Sequence, residues 1–584
     1  MRLSRAFAGV SLLLAGCQII GGIEVRDEYV APVGGAGADA GGNGGSDGSG
    51  GTKPEAGSGG DDASGGSSAG SGVVEGGAAG APPSGGTAGE PDAGAGGTAP
   101  EPPVVCGDGN PEGDEACDDG AQNGLADKCD TSCAFVCAGA CPLRVDPTIT
   151  TPGDGSSWAN AMGSLQAAVT QQQAASGGEV WTKQATITAV NSATLLTLGS
   201  SVTIYGGFEG TEVLLSQRPT PTEATVTVLD AAGLAYPAVK GAGGATLDGF
   251  LIKNASGNGG SAFTATSVTG LVLRNVWFKG NASKGGGNCG GALVLNGGGA
   301  RLENCRFEGN KSDGVGGAIC LENSVSVLTI VGSSFVDNEA VGSGGAIHAF
   351  GSYSPSRIPT VHVQGATFIG NKTTTMQTYG GAIYVSNANL DVSDSDFMSN
   401  QAALGEGAAL YCDSDGVCSV RNSTFVHNLG FRAAVHSTAP NMKVVGSTFA
   451  FNDANCPDKC DVSSTASLQL QNSVLVQSEK IYMQSTSGVI SSNNCSIFIA
   501  GGLGAKPSPF VDPLVDTDGN GVPEYLLAQP ADNGCLDIGN DANATAAGVA
   551  WATLTTSANN CLDKSPVDAG RHYAPTKPNT KTCE

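Results

Sequence analysis

Asp391, Asp394 and Asp396 are the side chains of this sequence whose spacing best suits acid–base chemistry. Paired carboxylates act as general acid, general base or nucleophile when a polysaccharide is cleaved. The repeats described below, however, explain Asp394 as a backbone bend and Asp391 as an outward-facing strand position. The histidines form no pair with the spacing of metal ligands; they are His348, His362, His427, His436 and His572. We therefore assign no catalytic residue.

A second group of oxygen-bearing side chains lies in the C-terminal segment, residues 501–584. Asp516, Asp518 and Asn520 occupy alternate positions of Asp-Thr-Asp-Gly-Asn-Gly, where Gly519 permits a sharp turn. Calcium loops use this arrangement, although the twelfth position here is Leu527 in place of a bidentate carboxylate. The sequence predicts a structural Ca²⁺ site, with a plain Asp/Gly turn as the alternative.

The sequence contains 18 cysteines, which suits an oxidising compartment. Cys412 and Cys418 flank a five-residue stretch and are expected to close a small loop. Six others predict a disulfide-rich module over residues 105–142, with zinc binding as the rival interpretation. These six are Cys106, Cys117, Cys129, Cys133, Cys137 and Cys141. Their spacing resembles the short Cys-rich repeat of myxobacterial secreted proteins.

The N-terminus has the pattern of an export signal. Arg2 and Arg5 precede an apolar run, residues 6–15, that is too short to span a bilayer. The following Leu-Leu-Ala-Gly-Cys resembles a bacterial lipobox. That resemblance implies a lipoprotein signal peptide over residues 1–17, lipidation of Cys17, and an outer-membrane or cell-surface location. An ordinary signal peptide with a chance cysteine is the alternative.

Residues 18–104 are predicted to be a disordered linker rich in Gly, Ala and Ser. Between residues 31 and 104 the chain has 26 glycines and no aromatic residue, so it lacks the apolar surface needed to offset the entropy of ordering. The whole chain has a net charge of −26 and a pI near 4.4. Such a charge argues against nucleic acid as a partner. The expected partners are the membrane, through the lipid anchor, and a polysaccharide, surface glycan or protein.

Most of the remaining sequence is organised by a repeat. Seven copies of Phe-x-x-Asn follow one another at intervals of 24 to 33 residues, which indicates stacked structural units rather than a globular enzyme core. The copies are Phe278–Asn281, Phe307–Asn310, Phe335–Asn338, Phe368–Asn371, Phe397–Asn400, Phe425–Asn428 and Phe449–Asn452.

Each repeat also contains strand and bend signals. Alternating apolar residues precede each Phe, and a Gly, Asn or Asp lies three positions before it, where a left-handed bend costs least. Copies of Gly-Gly-Ala begin a further short strand. Three short strands per unit predict an all-β, right-handed parallel β-helix of about nine turns over residues 143–500. An amphipathic pattern over residues 158–175 predicts a helix that caps its N-terminal end.

The paired Phe-x-x-Asn and Gly-Gly-Ala motifs resemble the repeats of the chlamydial polymorphic outer membrane proteins. This resemblance covers more than half of the chain and implies surface display and adhesion. The predicted function is therefore that of a lipid-anchored cell-surface protein, acting as an adhesin-like binding protein or an envelope scaffold. A polysaccharide lyase or glycoside hydrolase is the alternative, because many β-helix proteins are enzymes of these classes.

Overall fold

The structure is a computed structural model, and parallel strands dominate the residues that it describes. These residues are 141–190, 194–233, 237–257, 262–285, 289–352, 358–454, 460–477, 482–485, 489–498 and 540–549, with residues 554 and 572. The predicted modules 1–17 and 18–104 and nearly all of 105–142 lie outside them and stay predictions. The predicted parallel β-helix is confirmed, with about ten turns rather than nine. Strand pairing extends beyond the Phe-x-x-Asn copies at both ends, from Leu143–Val145 to Cys495–Phe498.

Each turn contributes strands to three faces. The first face contains the strands that follow the Gly-Gly-Ala motif, and each pairs in parallel with its equivalent one turn away. Its strands are Leu196–Thr197, Val239–Lys240, the first parts of Phe263–Lys279, Leu293–Glu303 and Ile319–Val331, then Ile347–Phe350, Ile383–Ser386, Leu410–Asp413, Val435–Ser437, Cys460–Ser464 and Tyr482–Ser485.

The second face follows directly in the chain, and in three turns one long strand crosses both faces. Its strands are Leu143–Val145, Gly178–Lys183, Val202–Phe208, Thr246–Lys253, the later parts of Phe263–Lys279, Leu293–Glu303 and Ile319–Val331, then Thr360–Gln364, Asn389–Ser393, Val417–Arg421, Asn441–Val445, Ser467–Gln471 and Val489–Ser492.

The third face carries the phenylalanines of the repeat. Its strands are Thr186–Thr188, Thr227–Asp230, the ends of Thr246–Lys253 and Phe263–Lys279, then Arg306–Glu308, Ser334–Val336, Thr367–Ile369, Asp396–Met398, Thr424–Val426, Thr448–Ala450, Val474–Gln477 and Cys495–Phe498. After several of the third-face strands the chain forms a two-residue strand, and these short strands pair with one another between turns. One set is Ser256–Gly257, Ala282–Ser283, Lys311–Ser312, Glu339–Ala340 and Lys372–Thr373, and a separate pair is Leu429–Gly430 with Asp453–Ala454.

The core contains a column of phenylalanine rings that runs along the inside of the third face. From Phe278 to Phe449 each ring stacks on the next, with centroids 4.6–4.9 Å apart and planes within 8° of parallel. The seven side chains are fully buried. Their spacing follows from the distance between hydrogen-bonded strands, so the regular register of the backbone produces the stack.

A second internal column consists of the seven asparagines of the repeat, all of which are buried. In each step the side-chain Nδ2 of one Asn donates to Oδ1 of the Asn in the next turn, at 2.9–3.0 Å. The same Nδ2 also donates to a main-chain carbonyl of the preceding turn. The column therefore satisfies buried backbone groups at the corner where the chain leaves the third face.

The corners depend on particular residues at two positions of the repeat: Gly, Asn or Asp at the bend before each Phe, and Gly in the Gly-Gly-Ala motif. The bend before each Phe has a positive φ, for example 48° at Asn275, 53° at Asp394 and 45° at Asn422. In the Gly-Gly-Ala motif the second glycine is fixed by contact between turns. A Cβ atom on Gly345 would lie 2.0 Å from the carbonyl oxygen of Gly381 in the next turn. Only glycine allows this close approach of backbones.

The N-terminal helix is shorter than the sequence pattern predicts. It runs over Leu165–Ala174 and begins after Ser164, whose side chain accepts a hydrogen bond from the Ala167 N–H. Trp158 and Met162 therefore lie outside the helix, and Met162 instead forms a parallel bridge with Val145. The serine N-cap sets the helix start more strongly than the apolar periodicity before it. Leu165 and Val169 pack into the end of the core.

Described residues of the C-terminal segment contact the bend between the second and third faces. They include a short helix, Asp541–Ala546. Asn472 forms two hydrogen bonds with the main chain of Asn540, and Asn422 forms two with the main chain of His572. Each Asn side chain thus pairs with one main-chain N–H and one C=O, much as a neighbouring strand would. Within the described part of the chain, no helix has the length and apolar character needed to cross a membrane.

Candidate functional site

The outward side of the first face carries a column of ring side chains in four successive turns, His348, Tyr384, Tyr411 and His436, which we name the His–Tyr column. The strand register places the four side chains directly beside one another. Neighbouring ring centroids are 5.1, 5.6 and 5.1 Å apart. The rings stack along the axis of the solenoid; His348 and Tyr384 are partly exposed, whereas Tyr411 and His436 are buried.

A carboxylate, that of Asp413, flanks the column on one side. Asp413 accepts hydrogen bonds from the hydroxyl groups of Tyr384 (3.1 Å), Ser386 (3.3 Å) and Thr438 (2.6 Å). Among the described residues no cation pairs with Asp413, so hydroxyl donors alone stabilise its charge. Burial, followed by the Asp413 charge, raises the pKa of Tyr384 and of Tyr411. Both phenols are therefore neutral hydrogen-bonding groups at any physiological pH.

Glu406 lies on the other side of the column, in the turn that precedes the Tyr411 strand. Its carboxylate contacts Nε2 of the fully buried His436 and the guanidinium of Arg432, both at 3.2 Å. The contact with His436 is the main cause of the lowered pKa of Glu406. Tyr379 covers this region, with its ring centroid 4.7 Å from that of Tyr411. Acidic, cationic and phenolic groups are thus fixed within a few ångströms of one another.

A pocket of about 140 Å³ lies at the N-terminal end of the His–Tyr column. A disulfide between Cys289 and Cys320, whose Cα atoms are 5.5 Å apart, forms part of its wall. Glu322, His348 and Phe350 also line it. Burial lowers the pKa of His348 to about 4, so its imidazole is neutral at pH 7.

The three aspartates of the sequence analysis do not form a catalytic cluster. Asp391 faces outward on the second face, where it pairs with Arg421 and lies 3.7 Å from His362. Asp394 occupies a left-handed bend and accepts a hydrogen bond from Asn422. Asp396 faces away from the core on the third face and is nevertheless buried. Their side chains point in different directions because a bend separates the two short strands that carry them.

Sequence reasoning missed the His–Tyr column, although the sequence contains a signal for it. Each ring residue follows the apolar residue that comes after the small-residue motif, as in Gly-Gly-Ala-Ile-His348, Gly-Gly-Ala-Ile-Tyr384, Gly-Ala-Ala-Leu-Tyr411 and Ala-Ala-Val-His436. Aligning the repeats on Gly-Gly-Ala rather than on Phe would have placed these residues in one column.

Several predicted site residues lie outside the described part of the chain. These are Cys17, the calcium candidates Asp516, Asp518 and Asn520, and five of the six cysteines of the small module. The sixth, Cys141, is disulfide-bonded. A disulfide also joins Cys412 to Cys418, and both side chains belong to the hydrophobic core.

Cys305 is a free cysteine in the described residues, and it is buried. Burial raises the pKa of its thiol to about 12, against 9.0 for an unperturbed cysteine. Since alkylation requires the thiolate, the reactive fraction is roughly a thousandfold smaller than for an exposed cysteine.

We expect Cys305 to resist iodoacetamide in the native chain, as measured by peptide mass spectrometry. An exposed thiol introduced by Thr375→Cys should react rapidly under the same conditions; equal rates at the two positions would contradict the burial argument.

Comparison with known proteins gives structural likeness only. No family model matches the sequence, and no curated protein matches it. The crystal structure of pectate lyase Pel9A is similar over 69% of this chain and 92% of its own, with 14% identity and a TM-score of 0.35. The A-module of the Azotobacter vinelandii mannuronan C-5 epimerase AlgE6 is similar over 57% of this chain and 94% of its own, with 13% identity and a TM-score of 0.26. At these values the likeness carries no information about function.

Proposed function

We propose that this chain is an exported, lipid-anchored surface protein that binds a glycan along its first face, as an adhesin or an envelope scaffold. The observation that carries the proposal is the His–Tyr column with Asp413 and Glu406 beside it. Glycan hydroxyl groups both donate and accept hydrogen bonds. Fixed carboxylate, phenol and guanidinium groups in one row are suitable partners for them. The lipid anchor at Cys17 and the linker that follows it would present this face away from the membrane.

Structural support for binding comes from the partners of Asp413. Other outward groups of the first face are buried, as Tyr411 and His436 are, or ion-paired, as Glu406 is with Arg432. Asp413 interacts only with hydroxyl groups among the described residues, and these can rearrange to admit a ligand hydroxyl. The first face therefore combines fixed geometry with exchangeable hydrogen bonds.

The test is glycan binding by the full mature chain, measured by calorimetry on ligands first selected from envelope and surface polysaccharides. Tyr384→Ala removes a ring and the hydroxyl that contacts Asp413, and it is expected to weaken binding at least about tenfold, or roughly 1.4 kcal/mol. His362→Ala is the matched control, because His362 is an outward-facing ring on the second face. Equal losses in the two variants, or no binding across the panel, would refute the proposal.

Polysaccharide cleavage is the second candidate, and the contact between Glu406 and the buried His436 is the observation in its favour. A carboxylate held next to an imidazole is suited to acid–base chemistry. Release of reducing ends or unsaturated uronates from the same panel would establish cleavage. Loss of that release in Glu406→Gln, with binding retained, would assign the chemistry to this pair. Binding without product release would leave the adhesin or scaffold function.

A further inference from the structure

Four side chains that can bind a soft metal ion converge on the pocket beside the His–Tyr column. Cys289 belongs to the loop before Gly-Gly-Ala, Cys320 and Glu322 lie on the outward side of one strand, and His348 lies in the next turn. One ligand atom from each of Cys289, Cys320 and Glu322 lies within 4.8 Å of the other two. Nδ1 of His348 lies 3.9 Å from Sγ of Cys320.

The position of this disulfide differs from that of the other disulfide in the solenoid. Cys412 and Cys418 are part of the interior core. Cys289 and Cys320 pack with Val294 and Val315 in a small cluster on the outer face, and both residues line the pocket, beside which Cys289 is 6% exposed. A thiolate can reach a disulfide only through an open path, so the outer pair is the one suited to thiol–disulfide exchange.

We propose that Cys289, Cys320, Glu322 and His348 form a redox-controlled Zn²⁺ site. A low-molecular-weight thiol opens the disulfide: two RSH molecules are oxidised to RSSR while the Cys289–Cys320 bond is reduced to two thiols. Zn²⁺ then displaces the two thiol protons and binds both sulfur atoms, a nitrogen of His348 and an oxygen of Glu322. Two thiolates, an imidazole and a carboxylate are established zinc ligands in tetrahedral sites.

The geometry requires only small movements. Zinc lies about 2.3 Å from sulfur and about 2.0–2.2 Å from nitrogen or oxygen, so its ligand atoms are separated by less than twice these distances. The three ligand atoms that lie within 4.8 Å of one another meet this limit nearly as they stand. Breaking the disulfide separates the two sulfur atoms and leaves room for the ion between them. The parallel strands on either side hold Cys320 and His348 in neighbouring positions in both states.

The experiment compares the full mature chain before and after treatment with reduced glutathione, using Zn²⁺ as the probe. Free thiols are counted, and bound zinc is measured after gel filtration. The double variant Cys289→Ser/Cys320→Ser lacks the proposed site, whereas Cys412→Ser/Cys418→Ser is the matched control that retains it. This design subtracts any zinc that binds to other reduced cysteines in the chain.

After treatment, the native chain and the Cys412→Ser/Cys418→Ser control should each bind one more zinc per chain than the Cys289→Ser/Cys320→Ser variant. With Co²⁺ in place of zinc, the same difference should show the thiolate-to-metal absorption band. His348→Ala should reduce this Co²⁺ absorption difference at least about tenfold. Two results would overturn the proposal: a Cys289–Cys320 pair that stays closed under glutathione, and an opened pair that adds no zinc. Neither result would decide the glycan-binding proposal, which calorimetry tests separately.

Discussion

Replacement of Asn371 by alanine is expected to lower the free energy of unfolding by about 4–5 kcal/mol. Asn371 lies in the middle of the asparagine column and is fully buried. Its Nδ2 donates to the carbonyl of Phe335 and to Oδ1 of Asn400, while its Oδ1 accepts from the main-chain N–H and Nδ2 of Asn338. Four hydrogen bonds are lost together. Each is worth about 1 kcal/mol, with an added cost for buried groups left unpaired.

The measurement is urea denaturation followed by circular dichroism, combined with hydrogen exchange at the Asn338 amide. Since a solenoid is stabilised by contacts between neighbouring turns, the exchange data show which turns lose stability. Lys372→Ala changes the next residue, whose side chain is exposed and pairs with Glu339 at 3.4 Å, and it should cost less than about 1 kcal/mol. An Asn338 amide that remains fully protected in Asn371→Ala would show that the column does not stabilise the corner.

Replacement of Phe368 by alanine is expected to cost about 5 kcal/mol. Removing a buried phenylalanine side chain leaves a cavity, and this alone costs about 3–5 kcal/mol. Phe368 also stacks on two rings, Phe335 at 4.6 Å and Phe397 at 4.7 Å, and both contacts are lost. The neighbouring turns are held by main-chain hydrogen bonds on each side, so the cavity has little freedom to close.

The solenoid offers two matched substitutions of the same type. Phe431 is 41% exposed, and Phe431→Ala should change the free energy of unfolding by less than about 0.5 kcal/mol. Phe449 stacks on Phe425 on one side and pairs with Leu475 on the other. Phe449→Ala should therefore cost about 1 kcal/mol less than Phe368→Ala. Denaturation midpoints that follow the order Phe368, Phe449, Phe431 would support the ring column as a main source of stability, and three similar midpoints would contradict it.

The repeats could be predicted because residues close together in the sequence determine the structure of each one. Phe278, Asn281 and the bend at Asn275 specify one corner within seven residues, and the later copies repeat that corner. The ordinary preferences of residues for bends and strands are enough for such a pattern, since every copy meets the same neighbours. The start of the N-terminal helix was less predictable, because Ser164 competes with an apolar pattern that extends before it.

The candidate site depends on alignment between turns, and the lengths of the intervening loops decide that alignment. Tyr384 and Tyr411 are 27 residues apart, whereas His348 and Tyr384 are 36 apart, yet all three lie in one column. The pairing of Cys289 with Cys320 has the same origin, since 31 residues separate them in the chain. The contact of Asn422 with His572 spans 150 residues, and no local pattern indicates it.

The asparagine column also has a net dipole along the solenoid axis. In each side-chain amide one N–H donates toward the C-terminal turn, and the oxygen accepts from the N-terminal side. Seven aligned amide dipoles therefore leave partial positive charge at the C-terminal end of the column, as a helix does at its N-terminus. There the last amide, Asn452, donates to Oδ1 of the buried Asp461. The column thus ends, at its partly positive end, on the side chain of an acidic residue.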